Sequence, residues 1–187
     1  MVSCGFLRSR HTTTRLTWVI AWTVAIVLVA GGGSLSEGEK RYNAGVEFQD
    51  QGLLERAIAE YDEAIKLEPR YANAYVDRGI AYGSLGQAQR AIEDFNEAVK
   101  LDPQATDAHY NRGVAYISLG QSQNAIDDFD EALRLDSQSA IAYANRAIAG
   151  TFLGRDVEAQ QDVARAVELG FDRASLEATI ERLKSEQ

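Results

Sequence analysis

The sequence of 187 residues contains one cysteine, one methionine, two histidines and two prolines. Each shortage closes a class of explanation. Cys4 has no second cysteine to pair with, so neither an intrachain disulfide nor a thiolate metal site can form. It also precedes the apolar stretch discussed below, whereas an acylated lipoprotein cysteine would follow it. His11 and His109 are far apart, and no other ligand stands at metal-binding spacing from either. The serines have no neighbouring base, and the glycines do not cluster into a phosphate-cradling loop. No constellation for catalysis, cofactor or metal is present, so the chain reads as a non-enzyme. Long runs of alternating apolar and polar residues are missing too, which excludes a sheet.

Basic residues are scarce and unevenly placed. Three of the 19, namely Arg8, Arg10 and Arg15, are the only charges in residues 1–33. The rest of the chain carries 16 basic against 28 acidic residues, a net of −12. Nucleic-acid binding rests on Lys and Arg neutralising phosphates, so nucleic acid is not an expected partner.

Residues 1–33 read as a targeting segment outside the fold. After the arginines, Leu16 to Ala30 (LTWVIAWTVAIVLVA) runs without a charge. A helix of 15 residues reaches about 22 Å, short of a bilayer core of roughly 30 Å, which fits a cleaved signal peptide ending at the small residues Ala30 to Ser34. Gly31 to Gly33 would extend the span, and Trp18 and Trp22 sit where interfacial aromatics are common, which fits an uncleaved anchor. In both readings the arginines stay in the cytoplasm and the remainder is exported, membrane-anchored or released. Residues 34–37 form a linker.

From there the sequence repeats itself. NAGVEFQDQG (Asn43 to Gly52), DRGIAYGSLG (Asp77 to Gly86), NRGVAYISLG (Asn111 to Gly120) and NRAIAGTFLG (Asn145 to Gly154) stand 34 residues apart. The pattern predicts four units, 38–71, 72–105, 106–139 and 140–173, each of two amphipathic helices. In the second unit the helices are expected near Ala72–Leu85 and Gln87–Leu101, separated by Gly86 and stopped by Asp102-Pro103. Pro69 and Pro103 are themselves 34 apart, Asp136-Ser137 replaces this stop in the third unit, and Gly170 is the expected cap of the fourth. Small residues Gly45, Gly79, Gly113 and Ala147 recur where two helices must come close. Ala57, Ala91, Ala125 and Ala159, and Ala64, Ala98, Ala132 and Ala166, recur on the second helices. Between them stand Phe48, Tyr82 and Tyr116, and Tyr61, Phe95, Phe129 and Val163. A last helix in 174–187, capped by Asp172 and carrying Leu176, Ile180 and Leu183 on one side, covers the end.

The period, the paired helices and the spaced Gly, Tyr, Ala, Phe, Ala, Pro positions resemble the tetratricopeptide repeat (TPR) over residues 38–173. Tyr75, Gly79, Tyr82, Ala91, Phe95, Ala98 and Pro103 carry the match in the second unit, and His109, Gly113, Tyr116, Ala125, Phe129 and Ala132 in the third. Arg41, where a large aromatic is usual, and Gly150, where Tyr82 and Tyr116 stand, depart from it. The resemblance implies an all-α solenoid, a right-handed superhelix whose first helices line a concave groove for a protein or extended peptide.

On that expectation, residues 34 apart form columns along the groove. One is Asn43, Asp77, Asn111 and Asn145, whose amides offer both donor and acceptor to a peptide main chain. Beside it run Tyr42, Val76, Tyr110 and Ala144, and then Val46, Ile80, Val114 and Ile148, with Ile117 and Phe152 further along, as apolar pockets. Arg78, Arg112 and Arg146 are expected to brace acids, His109 to pack, and the pairs Glu93-Asp94 and Asp127-Asp128 to lie on a solvated outer face. Glu39, Asn73, Asp107 and Asp77 occupy positions where relatives that grip a C-terminal carboxylate carry bases, so an acidic tail is disfavoured. The rival to a groove scaffold is an accessory subunit of an envelope assembly, touching its partners by the convex face or terminal helix.

Overall fold

The computed structural model describes residues 34–185; the leader expected in 1–33 lies outside the described residues. Among the described residues there are nine helices and no strand: α1 (Glu37–Asp50), α2 (Leu54–Leu67), α3 (Ala72–Ser84), α4 (Ala88–Leu101), α5 (Thr106–Ser118), α6 (Ser122–Leu135), α7 (Ala140–Phe152), α8 (Asp156–Glu168) and α9 (Arg173–Ser185). None of them is long and apolar enough to cross a membrane. The first eight form four hairpins in sequence order, and α9 closes the series.

Each hairpin turns on a glycine. Gly52, Gly86, Gly120 and Gly154 have φ between 68° and 73°, a left-handed conformation that a Cβ would oppose. The turn consumes carbonyls that the helix end leaves over: Gly86 N–H donates to Gly83 O at 2.9 Å and Gln87 N–H to Tyr82 O at 2.8 Å. Gly170 (φ 98°) ends α8 with the same pair of bonds, to Val167 and Ala166. Between hairpins, Asp102 Oδ1 accepts from Gln104 N–H at 2.9 Å, and Asp136 Oδ1 from Gln138 N–H at 3.0 Å. The aspartate therefore keeps the stop in the third unit, where serine has replaced proline.

The core is a series of ring-on-glycine contacts. Tyr61, Phe95 and Phe129 are fully buried on the second helices. A Cβ added to Gly79 would stand 2.7 Å from Phe95 Cε1, and one on Gly113 2.8 Å from Phe129 Cε1; Gly45 faces Tyr61 in the same way. The fourth hairpin changes both partners together: the ring becomes Val163 and the glycine becomes Ala147, buried in one cluster with Ala159 and Ala166. Leu176 and Ile180 of α9 complete that cluster, and Ser175 N–H donates to the capping Asp172 at 2.8 Å. Burying one such ring contributes about 2–3 kcal/mol.

Arginines then join one hairpin to the next. Arg78 grips Asp94 with two bonds (Nε to Oδ2 2.9 Å, Nη2 to Oδ1 2.6 Å) and reaches Asp62 of the preceding hairpin with Nη1. Arg112 repeats this with Asp128 and Asn96, and Arg146 with Asp162 and Asp130. The bracing role expected for the arginines is what the structure shows. The outer-face reading of the acids needs correcting: Glu93 and Asp127 are exposed, but Asp94 and Asp128 are each 5% exposed and face the arginines. His109 is buried in packing, with Nε2 3.1 Å from Pro103 O and Nδ1 3.4 Å from Asp128.

Curvature follows from which helices meet. Consecutive first helices approach closely (α1 with α3, α3 with α5, α5 with α7), whereas the backbones of consecutive second helices stand further apart among the described residues. The first helices are therefore the crowded, concave side of the solenoid and the second helices its convex side.

Candidate peptide-binding groove

The inner surface is made by α1, α3, α5 and α7, so its chemistry is read along columns that cross them. At the column of Asn43, Asp77, Asn111 and Asn145, the side chains are spent differently from repeat to repeat. Tyr42 O–H donates to Asp77 Oδ2 at 2.7 Å, across the first junction. Asn145 Nδ2 donates to Tyr110 O–H at 2.8 Å, across the third. At the second junction the tyrosine position is Val76, which offers no hydroxyl, and Asn111 Nδ2 turns back to Asp107 O at 2.8 Å. Two of the four columnar side chains thus hold neighbouring repeats together, and Asn43 lies exposed at the end.

The adjoining column of Tyr42, Val76, Tyr110 and Ala144 is mostly packing. Val76 is 8% and Ala144 2% exposed, and both belong to buried clusters, so their main role is packing, and Val76 shows only an edge to the groove. Tyr42 and Tyr110 are half-buried, and burial pushes both phenols above the ordinary tyrosine range. Of Val46, Ile80, Val114 and Ile148, Ile80 and Ile148 pack on the core with part of their surface open, Val46 is half-buried, and Val114 is exposed at 36%. Ile117 is half-buried against the cluster around Phe129.

A concavity of about 380 Å³ opens on this face, lined by residues of α1, α3 and α5 and the turn entering α5. Tyr42 and Val76 supply apolar wall, Asn73 and Thr106 supply polar groups, and Asp77, Asp102 and Asp107 supply charge, with no Lys or Arg among the lining residues. Burial pushes the Asp77 carboxyl above its ordinary range; the Tyr42 hydroxyl opposes this and the negative charge of Asp107 adds to it. Further along, the chemistry changes. Ile141 stands in the column of Glu39, Asn73 and Asp107 and is 50% exposed. With Val114 and Ile148 it makes the α5–α7 end of the groove apolar. Ile141 was not among the sequence candidates; its signal was an apolar residue in a column otherwise polar.

Families of known repeat proteins match this geometry. A family model described as tetratricopeptide repeat matches residues 76–140, and one described as TPR repeat matches residues 45–86. Residues 45–140 are tetratricopeptide repeats. Solved structures agree at the level of fold. MamA shares 24% identity at TM-score 0.68, covering 81% of this chain and 82% of that one. YrrB, described as a TPR protein with an unusual peptide-binding site, shares 23% identity at TM-score 0.65, covering 75% and 76%. The first TPR of Spaghetti (RPAP3), bound to the HSP90 peptide SRMEEVD, shares 24% identity at TM-score 0.63, covering 63% of this chain and 94% of that one. No curated protein sequence matches the chain. Within this TPR array, the groove of α1, α3, α5 and α7 is the surface on which the repeats expose both polar and apolar groups in register.

Proposed function

We propose that the chain is a protein–protein interaction scaffold that holds a segment of another protein, in extended form, in its concave groove. The observation that carries this is the exposed, unfilled inner face itself: Val114 and Ile141 open to solvent beside a concavity lined by first helices. A folded chain gains nothing from leaving such side chains wet, and apolar surface with convergent polar groups is what binding sites present. Peptide binding by YrrB and by the RPAP3 domain supports the class of function. An acidic tail like SRMEEVD is not the fitting ligand here, since Asp77, Asp102 and Asp107 would repel it. On this reading Asn111 and Asn145 offer main chain the amide oxygen and the second N–H that their bonds to Asp107 and Tyr110 leave over, and no chemistry is assigned to the array.

Residues 1–33 fit a leader that carries the array out of the cytoplasm, as an anchor or as a cleaved signal. Intact mass of the protein isolated from cells separates these two fates, and protease protection in spheroplasts tests the orientation. For the groove, the full chain carrying Val114→Glu and Ile141→Glu is compared with the parent by crosslinking in intact cells. Loss of the captured partners with unchanged helicity is the expected result. Retention of every partner would reject the groove and leave the convex face or α9 as the contact surface.

A further inference from the structure

The groove changes character along its length, and this deepens the reading just given, on which it rests. Its α1–α5 part contains Asp77, Asp102 and Asp107 with no basic side chain lining it. Its α5–α7 part presents Val114, Ile141 and Ile148. Of the basic residues on first helices, Lys40 pairs with Glu37, Arg41 pairs with Glu37 and Glu60, and Arg78, Arg112 and Arg146 are turned toward the second helices and committed to Asp94, Asp128 and Asp162. An apolar surface at one end and uncompensated negative charge at the other define a polarised slot. A carboxylate already half-desolvated, as Asp77 is, gains most from a cation delivered to it.

We infer that the occupant is a segment of a partner protein with a Lys or Arg seated in the acidic concavity and aliphatic or aromatic side chains over Val114, Ile141 and Ile148. Its spacing follows from the scaffold. The concavity is centred on α3 and the apolar patch lies between α5 and α7, one to two interhelical distances away. At about 10 Å per packed helix this is roughly 10–20 Å. Extended chain covers that span in about three to six residues. The cation and the first apolar anchor are therefore separated by that number of positions, and the bound segment has a fixed direction.

The test uses the full chain in detergent and a randomised library of N- and C-capped dodecapeptides. Enriched sequences are compared for the parent, for Asp77→Asn with Asp107→Asn, and for Val114→Glu with Ile141→Glu, both exposed positions. Asparagine is already the residue at the Asp77 column in the other three repeats, so the first variant keeps the fold. The parent is expected to enrich Lys or Arg followed or preceded at three to six residues by Leu, Ile, Val or Phe. The Asn variant is expected to keep the apolar preference, lose the basic one, and bind a selected basic peptide roughly tenfold more weakly. Raising salt is expected to weaken the parent toward the Asn variant. A basic preference that survives in the Asn variant, or enrichment of acidic peptides by the parent, overturns the inference while leaving the groove reading intact. Selected peptides that bind equally to the Glu variant overturn both.

Discussion

At the residue scale, the array depends on pairs that change together. Gly79 and Gly113 are glycines because a ring occupies the space where a Cβ would go, and Ala147 is permitted because its partner has shrunk to Val163. Gly150 is different in kind. It stands where Tyr82 and Tyr116 do, it lies in the last turn of α7 with helical backbone, and a Cβ there would meet Ala159 Cβ at 3.6 Å, an ordinary contact. Gly79→Ala is therefore expected to destabilise, by roughly 1–3 kcal/mol through overpacking against Phe95. Gly150→Ala is expected to stabilise by about 0.5–1 kcal/mol, the helix preference for alanine over glycine. Urea unfolding of both variants reads the two signs; if both shift the same way, the distinction between a crowded and an uncrowded glycine is lost. The ring–glycine columns were legible in the sequence because both partners recur every 34 residues. Burial of Asp94 and Asp128 was missed, since an acid beside another acid on a helix looks solvated. The signal was there: Asp94, Asp128 and Asp162 recur 16 residues after Arg78, Arg112 and Arg146.

At the scale of elements, the two helices of the second unit and their stops were readable to within a residue, because glycine and the Asp-Pro turn fix them by backbone chemistry. The links between neighbouring first helices were not. Tyr42 with Asp77 and Tyr110 with Asn145 join residues 35 apart, so they run diagonally from one column to the next and no single column shows them. The Tyr42–Asp77 link between α1 and α3 carries a pH signature. The Asp77 carboxyl titrates above its ordinary value, chiefly through burial. The folded state then holds a proton that the unfolded chain releases near pH 4. This contribution favours folding below that pH and is lost as pH rises through the folded value. Asp77→Asn, which keeps an acceptor for Tyr42 and removes the charge, is expected to be more stable than the parent at pH 7. The difference should shrink as pH falls toward 4. Urea midpoints at four pH values check this, and a difference that stays constant with pH would refute it.

At the scale of the molecule, stability in such an array is a sum of hairpins and the interfaces between them. The arginine forks belong to the three internal interfaces only. The residue 34 before Arg78 is Ala44, the residue 34 after Arg146 is Ile180, and Ile180 is buried in the terminal cluster. The arginine column therefore stops at both ends of the described array. Arg112 serves the central interface, and its removal leaves the buried Asp128 with His109 Nδ1 at 3.4 Å in place of a two-bond guanidinium partner. Arg112→Met is expected to cost about 3–5 kcal/mol, and adding Asp128→Leu to recover most of it, because the penalty lies in the buried charge that has lost its guanidinium. Chemical unfolding of the parent, the single and the double variant gives the comparison. A double variant as unstable as the single one would mean that the fork acts through its reach to Asn96 instead.

The unequal spacing of the two helix layers has a mechanical consequence. First helices lie close to one another, while successive second helices are linked through the arginine straps and, at the last junction, by Arg155 at the start of α8 to Gln123 of α6. Flexing the solenoid thus pivots about a line near the inner layer and opens or closes gaps in the outer one. The straps, whose Asp62 and Asp130 ends are half exposed, act as the restoring elements. Added salt is expected to loosen the two charged straps, Arg78–Asp62 and Arg146–Asp130, on the convex side, and to spare the central one, where Arg112 meets the neutral Asn96.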